Sequence, residues 1–330
     1  MSVLGTRVAD VRVASVRATG TTSVPAPVGS TTGTTTSTTT GTTTGTTTGT
    51  TTRRARLARV RRHPLARPGA VVSLLVVAVV VAWALVPTAF TSYDPITGVP
   101  ADNLLGPSAQ HWFGTDHLGR DLFARTVHGT GLSLQAAVVA IAIALGAGSA
   151  LGLVAGFVGG RVDDALMRFA DVLLAIPGLL LSLAVVTVLG FGTLKVAVAV
   201  GVASVATFAR VMRAEVLRVR GATYVEAARL AGARRGAVLG RHVVPNSTGP
   251  VLALATIELG SVVLAVSALS FLGFGAVPPT PEWGSLVAEG RNYLATAWWY
   301  STLPGVVIAV VVLAAGRLGR ALERGGRAAR

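Results

Sequence analysis

The chain has 330 residues, of which 51% are hydrophobic and only 13% are charged, and its mean hydropathy is +0.64. This composition is too apolar for an ordinary soluble domain and indicates a protein of the lipid bilayer. The net charge of +15 comes almost entirely from arginine, because Lys195 is the only lysine. The chain has no cysteine, which excludes disulfides, thiol nucleophiles, Fe–S clusters and cysteine-based zinc sites.

The amino-terminal part of the chain differs in composition from the rest. Residues 1–52 end in a long run of threonine and glycine, which predicts a disordered tail with almost nothing apolar to bury. Residues 53–69 contain seven arginines directly before the first apolar block. We interpret this basic segment as a signal that keeps the amino terminus cytoplasmic, with binding of anionic lipid or nucleic acid as the alternative.

Six apolar stretches predict six transmembrane helices, and the first covers residues 70–90. An extracytoplasmic loop at 91–130 separates it from a five-helix core at 131–317, and a basic cytoplasmic tail follows at 318–330. The charge-free windows in the core are 132–160, 172–194, 196–209, 243–277 (interrupted only by Glu258) and 292–316. The window of 196–209 is the shortest, so its flanking basic side chains must reach toward the membrane surfaces.

The distribution of basic residues gives the orientation. If the chain crosses the membrane six times from a cytoplasmic start, 25 of the 29 basic residues lie inside and four lie outside. This asymmetry is typical of helical membrane proteins and predicts that both termini are cytoplasmic. The predicted fold class is therefore an all-α polytopic membrane protein with six transmembrane helices.

Small residues and prolines recur inside the apolar stretches. A glycine at every fourth position of the second stretch predicts a helix face that another helix can approach closely. These glycines are Gly148, Gly152, Gly156 and Gly160. A proline in each of the third, fifth and sixth stretches, at positions 177, 250 and 304, predicts a kink.

The sequence lacks the motifs of the common enzymes that act at membranes. It has no GxxxxGK[ST] loop for ATP, no HExxH pair for zinc and no GxSxG nucleophile turn. We therefore expect no catalytic residue, no resident metal and no cofactor in this chain.

The extracytoplasmic loop contains the segment HWFGTDHLGRDLFAR, residues 111–125. Asp116, His117 and Asp121 are close enough in sequence to be read as metal ligands. The structural alternative is that Asp116 closes an Asx turn and that Arg120 pairs with Asp116 or Asp121. The residue types alone favour the structural alternative.

The loop between the fourth and fifth stretches, residues 213–246, carries the sequence GATYVEAARLAGARRGAVLGRHVVPN from Gly221 onward. Thr223 and Glu226 have the spacing of a capping box, which predicts the start of a short helix. Small residues at helical spacing follow, flanked by arginines. Such an exposed surface suits the groove of a soluble partner, and an amphipathic linker helix is the alternative.

These segments resemble a known family. EAARLAGA followed by VVPN is similar to the EAA signature of the membrane subunits of binding-protein-dependent ABC importers. FGTDHLGRD, GGRVDDALMRFADVLLAIPGLLL and LSFLGFGAVPPTPEWGSLVAEGRNYL resemble the dipeptide, oligopeptide and nickel branch of that family. The resemblance covers about residues 70–330.

The resemblance implies a permease with the type I importer fold in a bacterial cytoplasmic membrane. It implies as partners a second homologous permease, two ABC ATPases that bind ATP and Mg, and an extracytoplasmic substrate-binding protein. The cargo would be dipeptides or oligopeptides, or alternatively nickel. ATPase contact is implied for Glu226, Ala227, Ala228 and Gly232. The extracytoplasmic family motif falls on Gly114, Thr115, Asp116, Leu118, Gly119, Arg120 and Asp121.

One departure from the family concerns an intramembrane acid. Relatives carry an acid where this chain has Val266, whereas Glu258 lies two helical turns earlier. An ionisable residue at that depth is a functional candidate, although helical spacing places the two positions about 80° apart. Glu258 alone gives little support to the rival class, an ATP-independent secondary transporter. A nucleic-acid binder anchored in the membrane is a further rival, which the wide spread of the other inside arginines argues against.

Overall fold

The computed structural model describes residues 68–328, so the threonine-rich tail and nearly all of the basic segment lie outside the described residues. The described chain is a bundle of α-helices, as the continuous apolar runs predict, because helices satisfy their own backbone groups in lipid. The helices are α1 (Pro68–Leu85), α2 (Leu122–Val158), α3 (Gly160–Ala175), α4 (Gly178–Leu189), α5 (Thr193–Arg220), α6 (Thr223–Leu230), α7 (Arg235–Val238), α8 (Val244–Leu269), α9 (Trp283–Gly290) and α10 (Trp299–Ala328).

Four helical segments are long and apolar enough to cross a membrane: Leu122–Val158, Thr193–Arg220, Arg235–Phe274 and Trp299–Ala321. The bent pair α3 and α4 makes a fifth if it counts as one span, and α1 is apolar but shorter than these. The number six and the cytoplasmic position of both termini therefore stay predictions.

The third stretch bends at Pro177, where a kink is predicted, but much more sharply than a kink within one continuous helix. It breaks between α3 and α4, which meet at an angle of 95°. Pro177 causes the break, because it lacks an N–H for the helix and disfavours helical backbone at the residue before it. Ile176 is accordingly extended, with φ −91° and ψ 130°.

Helix boundaries differ from the predicted ones at several other places. Helix α1 ends at Leu85 rather than at residue 90. A short 3₁₀ turn follows it at Pro87–Ala89. Helix α2 begins inside the predicted loop of 91–130, since Asp121 caps its first turn. Helix α5 has 28 residues and includes the first part of 213–246, and α10 continues into the predicted tail. Charged residues lengthen these helices beyond the apolar windows.

Helix α2 packs along α5 through glycines. A Cβ atom at Gly148 would lie 2.5 Å from Cβ of Phe208, and one at Gly152 would overlap the carbonyl oxygen of Ala209. Gly156 likewise meets Val216. The fourth predicted member is wrong: α2 ends at Val158, and Gly160 begins α3 with open space around it.

Candidate functional site

Helix α6 lies in the loop predicted to face the cytoplasm and presents most of its surface outward. Val225 is fully buried and packs with a cluster that includes Val216 of α5 and Val243. Glu226 and Ala227 are exposed and Ala228 is half-buried. A single buried valine therefore anchors the helix and leaves the small residues free for a partner.

The start of this helix differs from the predicted capping box. Its N-cap is Ala222, with extended backbone, and no side chain caps the first turn. Thr223 is already helical, so its hydroxyl is one position too late to act as the cap. Glu226 lies in the first turn, where the helix dipole favours a carboxylate.

Gly232 ends the helix in a left-handed conformation, with φ +83°. Its N–H donates to the carbonyl of Arg229, and the N–H of Ala233 donates to that of Ala228, at 3.0 and 3.1 Å. These two bonds form a Schellman motif, in which glycine is strongly preferred. The left-handed backbone therefore explains why a glycine occupies position 232. No atom lies within 4 Å of the position that its Cβ would take.

An apolar side chain and several arginines surround the small residues. Leu230 is 85% exposed, an unusual position for a large apolar residue with charged neighbours. Arg220, Arg229 and Arg235 line a cavity of about 450 Å³ beside the helix. The surface therefore combines an apolar contact with positive charge, which suits a groove with an acidic rim.

The extracytoplasmic motif, residues 114–121, lies at the opposite end of α2 from this loop. Gly114 and Gly119 both have positive φ, at +73° and +72°. The hydroxyl of Thr115 accepts from the N–H of Leu105 at 2.8 Å and donates to the carbonyl of Asp102. With 37 residues, α2 extends for about 55 Å, enough to place its two ends on opposite sides of a bilayer.

Asp116 is the centre of the motif and has no exposed side-chain surface. Its Oδ1 accepts from the N–H of Leu118 at 2.8 Å and from that of Arg120 at 3.0 Å, which makes an Asx turn. Its Oδ2 accepts from Arg120 Nε and Arg125 Nη1, both at 2.6 Å. Burial alone would raise the pKa of Asp116, but these backbone N–H groups and the two arginine charges hold it below its ordinary value.

The three residues read as metal ligands each have a different partner. Asp121 caps α2 by accepting from the N–H of Ala124 at 2.6 Å, and it also contacts His111 Nδ1 at 2.8 Å. A hydrogen bond of 3.0 Å joins His117 Nδ1 to the hydroxyl of Tyr300. Across residues 68–328, no group of three acidic or histidine side chains is arranged to hold a metal ion.

Sequence reasoning assigned no role to three buried residues that complete this region. Arg125, fully buried, also contacts Glu289 of α9 at 2.8 Å, and Glu289 accepts from the hydroxyl of Tyr300 at 3.0 Å. Glu282 caps α9 by accepting from the N–H groups of Gly284 and Ser285, both at 3.1 Å. Arg125 lies in the predicted loop of 91–130, so only its closeness in sequence to Asp116 and Arg120 could have directed attention here.

Glu282 is completely buried although it carries a carboxyl group. Burial raises its pKa, against hydrogen bonds from the N–H groups of Gly284 and Ser285 and from the hydroxyl of Ser133. It therefore holds a loop outside the spanning segments to α2 and α9.

Glu258, the intramembrane candidate, lies near the middle of α8 and lines a cavity of about 340 Å³. Val266 is 1% exposed and belongs to the apolar core, so the two positions have different surroundings. That Glu258 does not simply take the role of the acid in relatives stays a prediction.

Comparison with known proteins identifies the class of protein to which this fold and these sites belong. Residues 148–327 match the family described as binding-protein-dependent transport system inner membrane component. The chain belongs to this family, and it is a multi-pass permease component of the bacterial inner membrane with the type I ABC importer fold.

Three relatives are similar over most of the chain. The dipeptide transport system permease protein DppC of Alkalihalophilus pseudofirmus is 37% identical over 254 residues, which cover 77% of this chain and 84% of the relative. The glutathione transport system permease protein GsiD of Escherichia coli is 41% identical, over 80% and 86%. The probable D,D-dipeptide transport system permease protein DdpC of Escherichia coli K12 is 41% identical, over 66% and 73%.

Proposed function

We propose that this permease imports short peptides, dipeptides or oligopeptides, in an ATP-driven ABC importer. The observation that carries the proposal is the similarity to three permeases named for dipeptides or glutathione. Nickel is the alternative cargo for the same machinery. Nickel favours imidazole ligands, and the described residues contain no suitable cluster of histidine and acidic side chains.

The chain acts as a transport subunit, and ATP and Mg are bound by partner ATPases. Helix α6 is the proposed contact, with Glu226, Ala227, Ala228 and Gly232 in the groove of an ATPase. Its anchoring through Val225 supports this role, because movement of the helix would be transmitted directly to α5. A second homologous permease, a second ATPase and an extracytoplasmic binding protein complete the proposed assembly.

The extracytoplasmic motif has a positioning role in this proposal. Its ion pairs connect the first loop to α2, α9 and α10, so a binding protein that docks on this side meets a rigid surface. The bent pair α3 and α4 supports a bundle that switches between inward-facing and outward-facing states.

The test is uptake of labelled dialanine and of nickel by cells with and without this gene, each with and without ATP depletion. The proposal expects loss of ATP-dependent dialanine uptake in cells that lack the gene. Loss of nickel uptake alone would overturn the peptide assignment and leave the importer class in place. Uptake that survives ATP depletion would contradict the ABC mechanism.

A further inference from the structure

The cavity at Glu258 lies where α3, α4, α5 and α8 meet, at the break at Pro177. Its volume of about 340 Å³ is within the range of small-molecule sites, roughly 300 to 1,000 Å³. One of its walls is the bend between α3 and α4, so any movement of that bend changes the shape of the cavity.

The polar side chains that line this cavity all carry oxygen atoms. Ser182, Ser204, Thr207 and Ser261 supply hydroxyls, and Glu258 supplies a carboxylate. Ser182 Oγ donates to the carbonyl of Gly178 at 2.5 Å, and Ser204 Oγ donates to that of Val200 at 3.0 Å. Because the hydroxyls of Ser182 and Ser204 donate to carbonyls of their own helices, their oxygens remain available as acceptors.

The carboxylate of Glu258 has no compensating charge. Among the described residues no lysine, arginine or histidine lines the cavity, and no hydrogen bond or ion pair reaches Glu258. An acid inside a membrane-spanning helix is costly unless it faces a cavity and meets a partner. Within the described residues Glu258 therefore has no counter-charge, and a cation from outside this chain could supply one.

We propose that this cavity binds the α-ammonium group of a peptide in transit, with Glu258 as its counter-charge and the hydroxyls as further acceptors. An ammonium group has three donors and no acceptor, which matches a wall of one carboxylate and several hydroxyl oxygens. This inference rests on the proposed peptide import. A metal ion fits less well, because the cavity offers one carboxylate and no imidazole.

The first experiment compares dialanine uptake in cells that carry the wild-type chain, Glu258→Gln, Glu258→Asp or Asp164→Asn. Asp164 is an exposed carboxylate on α3, outside the cavity, and its variant is the control. Glu258→Gln should lower the maximal uptake rate about tenfold at equal membrane abundance, the effect of one lost charge-assisted hydrogen bond. If a binding protein determines the KM for dialanine, that KM should change little. Glu258→Asp keeps a carboxylate and should therefore retain most of the maximal uptake rate.

The second experiment separates recognition of a cation from a structural role. Because the chain has no cysteine, Ser261→Cys introduces a single thiol at the cavity. The assembled transporter is treated with aminoethyl methanethiosulfonate, a cation, or sulfonatoethyl methanethiosulfonate, an anion. The cation should react faster, dialanine should slow it, and adding Glu258→Gln should remove the preference.

Each result decides between the alternatives. Unchanged uptake in Glu258→Gln overturns the inference, as does a thiol that reacts with neither reagent or equally with both. Normal dialanine uptake in cells without the gene is a different outcome, because it overturns the proposed function itself.

Discussion

Arg125 Nη1 lies 2.8 Å from Oε2 of Glu289, although 164 residues separate the two in the chain. The same nitrogen lies 2.6 Å from Oδ2 of Asp116. One buried guanidinium thus joins the extracytoplasmic motif, the start of α2 and the end of α9. Asp116 has a second cation at the same distance, Arg120 Nε at 2.6 Å, whereas Glu289 has no other close cation, since Arg120 Nη2 reaches it only at 3.5 Å.

Replacing Arg125 with methionine should destabilise the protein strongly. The substitution removes the nearest cation of Glu289 and one of the two cations that contact Asp116, and breaking a buried pair in this way costs roughly 3 to 5 kcal/mol. Arg161→Met, at an exposed position on α3, is the control. Thermal unfolding of the complex in detergent should show a large loss for Arg125→Met only, and equal melting temperatures would contradict the assignment.

The sequence predicts the helical bundle well, because lipid requires long uninterrupted apolar runs. It also predicts the Asx turn at Asp116, which depends on neighbours within four residues. It does not predict the pairing of Arg125 with Glu289, because that contact depends on how α2 and α9 pack. The sharp bend at Pro177 was likewise missed, since proline is equally compatible with a mild kink.

The structure of the loop of 213–246 was also predicted only in part. The spacing of Thr223 and Glu226 correctly predicts the start of a short helix, but Thr223 does not cap it, because the turn after Gly221 places Ala222 at the N-cap. The cavity at Glu258 was not predictable at all. Its walls come from four helices, whereas the sequence shows only an isolated acid in an apolar run.

The close packing of α2 on α5 predicts that a large side chain is destabilising at one glycine of α2 and tolerated at another. Gly152→Leu would force a side chain into Met212 and the backbone of Ala209, and such overpacking typically costs about 1 to 3 kcal/mol. Gly146 has nothing within 4 Å of a Cβ position, so Gly146→Leu should be tolerated. Melting temperatures of the two purified variants test this, and a loss of equal size in both would argue against the glycine contact.

Glu282 predicts a dependence of stability on pH. Because its pKa is raised in the folded protein, its contribution to stability is fully present below the unfolded pKa of about 4.5 and is lost as pH rises through the folded value. Glu282→Gln cannot ionise, so the wild type should lose stability relative to this variant as pH rises from about 4.5. Melting temperatures of both proteins across a pH series measure the difference, and parallel profiles would show that Glu282 does not titrate on unfolding.

Gly232 and Gly236 provide a matched pair in the loop proposed to contact the ATPase. Both have open space at the Cβ position, but only Gly232 has positive φ. Gly232→Val must leave the left-handed conformation or bear a strain of about 1 to 2 kcal/mol, which distorts the Schellman turn. Gly236→Val meets neither problem.

If α6 docks into an ATPase, that strain should weaken association roughly 5- to 30-fold and lower ATP-driven dialanine uptake. Co-purification of the ATPase with each variant from detergent-solubilised membranes, at equal permease abundance, measures the first effect. Gly236→Val should behave as the wild type. Because a Cβ at Gly232 would meet no atom of the described chain within 4 Å, full retention of the ATPase by Gly232→Val would mean that the partner binds elsewhere on the permease.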